Sequence, residues 1–350
     1  MDSLSDIVDV VIGVDTHVAT HSAAAVDART GGVLAETTVE ATPDGYDSLV
    51  EFANDCSGLR AWAIEGTGSH GAGLARHLGG HHELVVELDR PERARRRNGA
   101  KSDPLDAIRA AREALSRTKL GTPRSTGERQ ALSVLLAARS SAVQGARTAQ
   151  LQLFALAIAA PEQLRSKLRG KRTLAMARTA SHFRVQGQWD LETRTTATVL
   201  RDLGRRALEL WDEADRHEKE ILAIVRAWRS DLLERQGVGP IVAATVLCAW
   251  SHDGRVRSEA AFAMLAGAAP IPANSGRVTT HYRLNRHGDR QLNRALHTIV
   301  LSRMRWDEDT RAYVKRRTAE GKTPREIKRC LKRYVARELF RLLEGGALAA

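Results

Sequence analysis

The sequence predicts an α/β N-terminal domain, a long helical arm and a mostly α-helical C-terminal domain with a helix-hairpin-helix-like element. Three observations support this. A nearly continuous β-branched run over residues 8–14 is typical of a buried central strand. Segments of alternating polarity follow at 21–27 and 33–40, whereas leucines recur at helical spacing beyond residue 127. The length of 350 residues suits two or three domains. We place them at 1–125, 126–230 and 231–350.

The elements of the first domain follow one another in the order β-β-β-α-β-α-β. After the three N-terminal strands, the pattern predicts a helix over 43–55, a strand over 60–65, a helix over 71–78 and a strand over 83–88. This is the order of a ribonuclease H-like fold, a mixed sheet whose first and fourth strands lie side by side. The ends of those two strands are therefore expected to meet at one edge of the sheet.

Each of these two strands ends on a carboxylate, Asp15 and Glu65 respectively. Ligands of α/β sheets bind just outside strand ends, which favours a functional reading. The alternative is that each acid simply begins a turn. Asp103 and Asp106 stand three apart at the start of a further helix, predicted over 105–116. Helix capping explains that spacing without any chemistry.

Capping does not explain why two further acids lie at strand ends. Four convergent carboxylates would repel one another, and a divalent cation is the simplest group that neutralises them. An oxygen-only ligand set with no His or Cys suits Mg²⁺ or Mn²⁺. Two such ions could hold the attacking and leaving oxygens of a phosphodiester. The sequence therefore raises the hypothesis of a metal site at this sheet edge.

The composition indicates a polyanionic partner. The formal net charge is +12, from 54 basic and 42 acidic residues, so nucleic acid is the leading candidate and a solvated Arg-rich surface the alternative. Aromatic residues make up only 4%, which disfavours base stacking as the main mode of recognition. Three isolated cysteines suit a reducing cytosol and argue against structural zinc or disulfides. Neither a signal peptide nor a transmembrane run is evident, so we expect a cytoplasmic, nucleoid-associated bacterial protein without a membrane partner.

Several basic and glycine-rich stretches are candidates for holding the nucleic-acid backbone. An Arg-rich loop covers 90–101, and a Gly-Val-Gly turn between apolar helices resembles a helix-hairpin-helix element, whose amides bind phosphate. A solvated loop and a plain helix separator are the respective alternatives. The candidate nucleic-acid-binding residues are Arg95, Arg96, Arg97, Lys101, Gly237, Gly239, Arg277, Arg283, Arg286 and Arg290.

Ser275 stands in a turn-forming Asn-Ser-Gly beside arginines. A serine hydroxyl surrounded by cations could attack phosphate, although most turn serines only form the turn. Helices over 127–161 and 193–228 suggest an antiparallel arm through which copies could associate. The segment 165–189 is predicted as a connecting loop with one short helix. The tail, 307–343, is predicted as two amphipathic helices with a basic face.

Together these features resemble the bacterial insertion-sequence transposases of the 110 family, the DEDD transposases. The resemblance extends from about residue 8 to 343. One departure is Pro104-Leu105, where relatives more often carry other residues. The resemblance rests on four motifs: Ile-Gly-Val-Asp15, Ile-Glu65-Gly-Thr-Gly, Lys-Ser-Asp103-Pro-Leu-Asp106-Ala, and Ala-Gly-Ala-Ala-Pro-(x)4-Ser275-Gly with its trailing Arg-Leu-Asn-Arg-His-Gly-Asp-Arg.

The resemblance implies an Mg²⁺- or Mn²⁺-dependent recombinase with a RuvC-like N-terminal domain. Its metal ligands would be the four acids, and Ser275 would form a covalent serine-DNA intermediate. It also implies a dimer or tetramer, donor and target DNA, and a structured guide, the bridge RNA. Three alternatives from other functional classes remain: a RuvC-like junction nuclease that uses water, an actin-like sugar kinase, and a non-catalytic nucleic-acid-binding protein.

Overall fold

The chain divides into two compact units, Met1–Thr126 and Gly127–Ala350. The further division of the second unit into an arm and a C-terminal domain stays a prediction. The structure is a computed structural model, and the residues that it describes are 3–88, 103–118, 120–272, 282–285 and 288–345.

The first unit contains the predicted order of strands and helices. α1 begins where Thr42 accepts a hydrogen bond from Gly45 N, with Pro43 at the first helical position. Within the described residues, the elements are β1 (Val10–Thr16), β2 (Thr20–Asp27), β3 (Val33–Glu40), α1 (Pro43–Asn54), β4 (Arg60–Glu65), α2 (Ala72–Gly80), β5 (Val85–Leu88) and α3 (Asp103–Ser116).

The five strands form one mixed sheet in the order β3-β2-β1-β4-β5. β1 pairs antiparallel with β2 and parallel with β4, and β4 pairs parallel with β5. The prediction that the first and fourth strands lie side by side is therefore confirmed.

The two faces of the sheet are covered by different helices. Ile12 and Val14 of β1 belong to a core with Leu49 of α1 and Leu74 of α2. Val11 faces the other way and shares a second core with the alanines of α3. This alternation follows from the two-residue period of a strand, and it decides which side chains at the strand ends can meet α3.

The second unit is almost entirely helical. Three of its helices begin at aspartates, because Asp190, Asp289 and Asp307 each accept hydrogen bonds from backbone amides of the first turn. Within the described residues, the elements are α4 (Glu128–Ala159), α5 (Glu162–Leu168), α6 (Thr173–Ser181), α7 (Leu191–Arg229), α8 (Pro240–Trp250), α9 (Glu259–Leu265), β6 (Pro270–Pro272), β7 (Tyr282–Leu284), α10 (Arg290–Trp306), α11 (Glu308–Ala319) and α12 (Pro324–Gly345).

The prediction for 165–189 is corrected by the structure, which forms two helices there, α5 and α6. Leu164 and Met176 are buried in a core with Leu200 of α7. α6 crosses α7 closely, because a Cβ atom at Gly204 would lie 2.6 Å from Ala177 O. The sequence signal is weak because each helix is short and is stabilised by burial in the core that it shares with α4 and α7.

The C-terminal helices share one hydrophobic core. Phe262 of α9, Leu296 of α10 and Leu339 of α12 are fully buried there, and Leu132 of α4 and Ile221 of α7 belong to the same core. The two predicted tail helices are present as α11 and α12. No described helix combines the length and the apolarity that a bilayer span requires.

Candidate active site

α3 lies directly on β1 because position 13 carries no side chain. A Cβ atom at Gly13 would lie 2.1 Å from Ala107 O and 2.5 Å from Ala111 N. Any side chain would therefore push the helix off the sheet. Asp15 follows two residues later on the same strand, so it is on the face that α3 covers. The start of α3, at Asp103, is thereby brought to the end of β1.

Glu65 occupies the matching position on the neighbouring strand. The parallel register pairs Val14 with Ile64, so Asp15 and Glu65 are the next residues on adjacent strands. Ala63 belongs to the core beneath α3, which puts Glu65 on that same face by alternation. Thr16 Oγ1 donates a hydrogen bond to the Glu65 carbonyl at 3.1 Å and ties the two strand ends together. The Glu65 side chain is exposed.

A histidine lies between two of the predicted acids. His17 Nε2 is 3.2 Å from Asp15 Oδ2 and 3.5 Å from Asp103 Oδ1. One ligand atom from each of these three residues lies within 4.8 Å of the other two. Asp106 Oδ1 accepts a hydrogen bond from Arg109 Nη1 at 2.6 Å on the same helix. The structure thus brings Asp15 and Asp103 together, with Asp106 in the first turn of the same helix.

The electrostatics show that the acids affect one another. Burial raises the pKa of the Asp15 carboxyl, and the negative charges of Asp106 and Asp103 raise that pKa further. His17 opposes both effects through its charge and its hydrogen bond. Asp15 is therefore a partly buried carboxylate, with 18% of its side chain exposed, in a field of like charge.

This donor set fits a divalent metal ion. A positive ion among the carboxylates would remove the repulsion that raises the pKa of Asp15. Carboxylate oxygens suit Mg²⁺ and Mn²⁺, and an imidazole nitrogen within the cluster also suits Mn²⁺. The expectation of a purely oxygen set overlooked His17. The signal available in the sequence was the Asp-Thr-His spacing at the end of the first strand. In extended backbone, side chains two residues apart lie on the same face, so His17 is expected beside Asp15.

Part of the predicted site lies outside the described residues. The predicted nucleophile and several of the basic residues are in this group, which consists of Ser275, Arg95, Arg96, Arg97, Lys101, Arg277 and Arg286. Arg283 is described only as a backbone position of β7, paired with Ile271 of β6. Arg290 is exposed at the first position of α10.

The predicted Gly-Val-Gly turn precedes α8. Gly237 has a positive φ of 84°, and a Cβ there would lie 3.1 Å from Ile299 O, so this position demands glycine for two reasons. Gly239 is the residue before the first turn of α8. On the other side, α7 ends at Arg229 and continues directly into a single 3-10 turn, Ser230–Leu232. The helix-hairpin-helix-like element stays a prediction.

The motif that follows Ser275 anchors the β6–β7 hairpin. β6 and β7 pair antiparallel, with Pro272 opposite Tyr282. Asn285 Nδ2 donates to the Met264 carbonyl at 2.8 Å. A Cβ at Gly288 would lie 2.4 Å from Gly267 N, so the two backbones touch. These motif positions thus have a structural role that holds the hairpin against the end of α9.

Two family profiles match the sequence. Residues 12–157 match a DEDD transposase profile of the IS110 group, described as a transposase, and residues 230–315 match the transposase IS116/IS110/IS902 family. The chain is also similar to an insertion element IS900 uncharacterized 42 kDa protein of Mycobacterium paratuberculosis. The two are 30% identical over 179 residues, which is 50% of this chain and 44% of that relative. The matched stretch therefore spans less than half of the relative.

Proposed function

Because the chain belongs to the IS116/IS110/IS902 family of transposases, we propose that it cuts and rejoins DNA as the recombinase of an insertion sequence. The observation that carries the proposal is the cluster of Asp15, His17 and Asp103 at the end of β1. It lies within the stretch that matches the DEDD transposase profile.

In this proposal the acids at the sheet edge are the metal ligands. Asp15 and Asp103 provide oxygens on the two sides of the cluster, Glu65 provides one from the adjacent strand, and Asp106 one from the first turn of α3. A bound Mg²⁺ or Mn²⁺ ion would polarise the scissile phosphate and stabilise the charge that develops on it. The chain itself fixes the spacing of the acids, because Gly13 allows α3 to rest on β1.

Ser275 is the proposed nucleophile. Its hydroxyl attacks the scissile phosphorus, so an Oγ–P bond forms and one P–O bond of the DNA breaks. The serine proton ends on the released DNA hydroxyl. The number of phosphoester bonds is unchanged, so attack by the DNA hydroxyl of another strand end can reseal the backbone without an external energy source.

The proposed partners are donor DNA, target DNA and a structured guide RNA, the bridge RNA implied by the resemblance to the family. A dimer or tetramer would allow the acids of one copy to act with Ser275 of another. The net charge of +12 supports a polyanionic partner.

The experiment is to trap covalent protein-DNA adducts with purified full-length protein, Mg²⁺ and DNA carrying the junction of its insertion element. Ser275→Ala is expected to form no adduct and still bind nucleic acid, and Asp15→Asn to keep its fold but lose metal-dependent cleavage. Glu51→Gln, which removes an exposed carboxylate on α1, is the matched control and should behave as wild type. Cleavage without any adduct would instead support a junction nuclease that uses water.

Sequencing of the nucleic acid that co-purifies tests the guide. A discrete RNA from the locus beside the gene is the expected result. Recovery of only random cellular RNA would reject the guided mode, while leaving the adduct experiment to judge the chemistry.

A further inference from the structure

A second group of metal-ligating side chains lies on the face of the sheet covered by α1 and α2, the face opposite α3. His77 and His81 stand one helical turn apart at the end of α2, and Asp47 lies on α1. One ligand atom from each is within 4.8 Å of the other two. We propose that Asp47, His77 and His81 bind one Zn²⁺-class cation that clamps α1 to α2.

The spacing of the two histidines suits a single ion. Side chains at positions i and i+4 lie on the same side of a helix, and helical His pairs with this spacing are a recurrent zinc-binding arrangement. The helix continues far enough to keep them aligned, since His81 N donates to the His77 carbonyl at 3.2 Å. Their ring centroids are 4.7 Å apart.

The separation of His77 from Asp47 is that of two ligands around one ion. His77 Nε2 lies 3.1 Å from Asp47 Oδ1. Donor bonds of about 2.1 Å to a tetrahedral zinc ion put neighbouring donors about 3.4 Å apart. His77 Nε2 is also buried, and although it lies within ion-pair distance of Asp47 Oδ1, the geometry between them is not that of a hydrogen bond. A cation between the two groups would satisfy this buried nitrogen, which the contact with Asp47 alone does not hydrogen-bond.

Aromatic packing holds the His77 ring in place. The His77 ring packs on Tyr46 with centroids 5.7 Å apart, and Tyr46 stacks on the buried His21 of β2 at an interplanar angle of 8°. α2 approaches Tyr46 closely, because a Cβ at Gly73 would lie 2.5 Å from the Tyr46 hydroxyl. The ring of His77 is therefore oriented by its neighbours before an ion binds.

The chemistry of the donors selects the class of metal. Two imidazole nitrogens and one carboxylate oxygen suit a borderline transition ion such as Zn²⁺, whereas the acids at the end of β1 suit harder ions. The Asp47 side chain is 59% exposed, which leaves room for water as a fourth ligand. The cysteine count argued against structural zinc, but this cluster needs no cysteine.

The test is calorimetric titration of full-length protein with Zn²⁺ in an excess of Mg²⁺. Wild type is expected to bind one equivalent, and His77→Ala, His81→Ala and Asp47→Asn to lose affinity at least tenfold. The control is His82→Asn, which changes the adjacent exposed histidine outside the cluster and suits its positive φ of 58°. It should keep wild-type affinity.

The variant Asp15→Asn tests whether zinc binding at this site is independent of the acids at the end of β1. The proposal expects the zinc equivalent to survive in Asp15→Asn. If the equivalent disappears there, or persists unchanged in His77→Ala and His81→Ala, the proposal is overturned. Circular dichroism shows whether His77→Ala has folded, and His81→Ala, an exposed change, carries the test if it has not.

The clamp has its own readout in hydrogen exchange. Zn²⁺ should slow exchange of the α2 amides at least several-fold in wild type and leave it unchanged in His81→Ala. Zinc binding without any slowing in wild type would overturn the clamp.

Discussion

Lys332 on α12 donates a hydrogen bond to Asn293 Oδ1 on α10 at 2.8 Å. Asn293 Nδ2 donates in turn to the Ala266 carbonyl at 2.6 Å. Lys332 is half-buried, and this burial lowers the pKa of its ammonium group. This chain of bonds joins α10 and α12 to the backbone just beyond α9, from which the β6–β7 hairpin starts.

Asn293→Ala is expected to lower the free energy of unfolding by about 1–3 kcal/mol, because it leaves a partly buried ammonium without its acceptor. Adding Lys332→Met to that variant should recover part of the loss, since the stranded charge is then removed. Denaturant titration of the three proteins measures both effects. A cost below about 0.5 kcal/mol for Asn293→Ala would show that the bond is dispensable.

Gly13→Ala should destabilise the first unit by about 1–3 kcal/mol, because the new methyl group overlaps the backbone of α3. It should also weaken metal-dependent cleavage, since α3 carries Asp103. Thermal unfolding and cleavage assays measure the two effects. Gly79→Ala is the control: its Cβ meets no atom within 4 Å in helix α2, so stability should stay equal or rise by about 0.5–1 kcal/mol. Equal behaviour of the two variants would contradict the close packing.

Glu83 links stability to acid pH. Hydrogen bonds from Arg60 Nε at 3.0 Å and Trp62 Nε1 at 2.9 Å lower its pKa against the opposing effect of burial. Stability from this group is present above the ordinary value of 4.5 and is lost as pH falls through the lowered folded pKa. Glu83→Gln should therefore cost about 1.5–3 kcal/mol at pH 7 and show a flatter loss below pH 4.5.

Unfolding free energies measured at several pH values between neutrality and acid check this prediction. Glu51→Gln, an exposed carboxylate on the same unit, should reproduce the wild-type curve. If the stability curves of wild type and Glu83→Gln run parallel, Glu83 does not contribute to the loss of stability at acid pH.

His17→Ala tests the residue that sequence reasoning overlooked. The imidazole lies between Asp15 and Asp103, but half of it is exposed. We expect its loss to raise the Mg²⁺ concentration needed for half-maximal cleavage by up to about tenfold, a smaller effect than the full loss expected for Asp15→Asn. Cleavage measured across a Mg²⁺ series provides the comparison. An inactive His17→Ala at saturating Mg²⁺ would indicate a more direct role.

Arg290→Ala tests the predicted contact with the nucleic-acid backbone. Loss of one phosphate contact should weaken DNA binding about equally for all sequences and reduce the slope of log affinity against log salt by about 1. Arg76→Ala, an exposed arginine on α2, is the control for the loss of one charge. Binding isotherms at several salt concentrations measure the slope. Identical slopes for the two variants would exclude a specific contact at Arg290.

Local patterns predicted most of the first unit. The β-branched run of β1 and the alternation of β2 and β3 are local patterns. The sequence therefore predicted that these segments are strands, and in which order they follow. α5 and α6 were not, because each becomes stable only when its few apolar side chains are buried against α4 and α7.

The residues of the candidate sites also fall into those that the sequence predicted and those that only the structure revealed. Acids at strand ends are visible along the chain, which is why Asp15 and Glu65 were predicted. Asp47 lies 30 residues before His77 in sequence, and nothing local connects them. Their proximity comes from two helices packed on one face of the sheet.

The sequence alone determined which residues can form strands, which acids end them, and which family motifs the chain carries. Periodicity, capping and residue chemistry depend on a few neighbouring residues, so they can be recognised from the sequence alone. Only the tertiary structure decided that the imidazole of His17 stands between two carboxylates and that Asp47 meets His77. Those contacts depend on the sheet register and on the approach of whole helices, down to the missing side chain at Gly13.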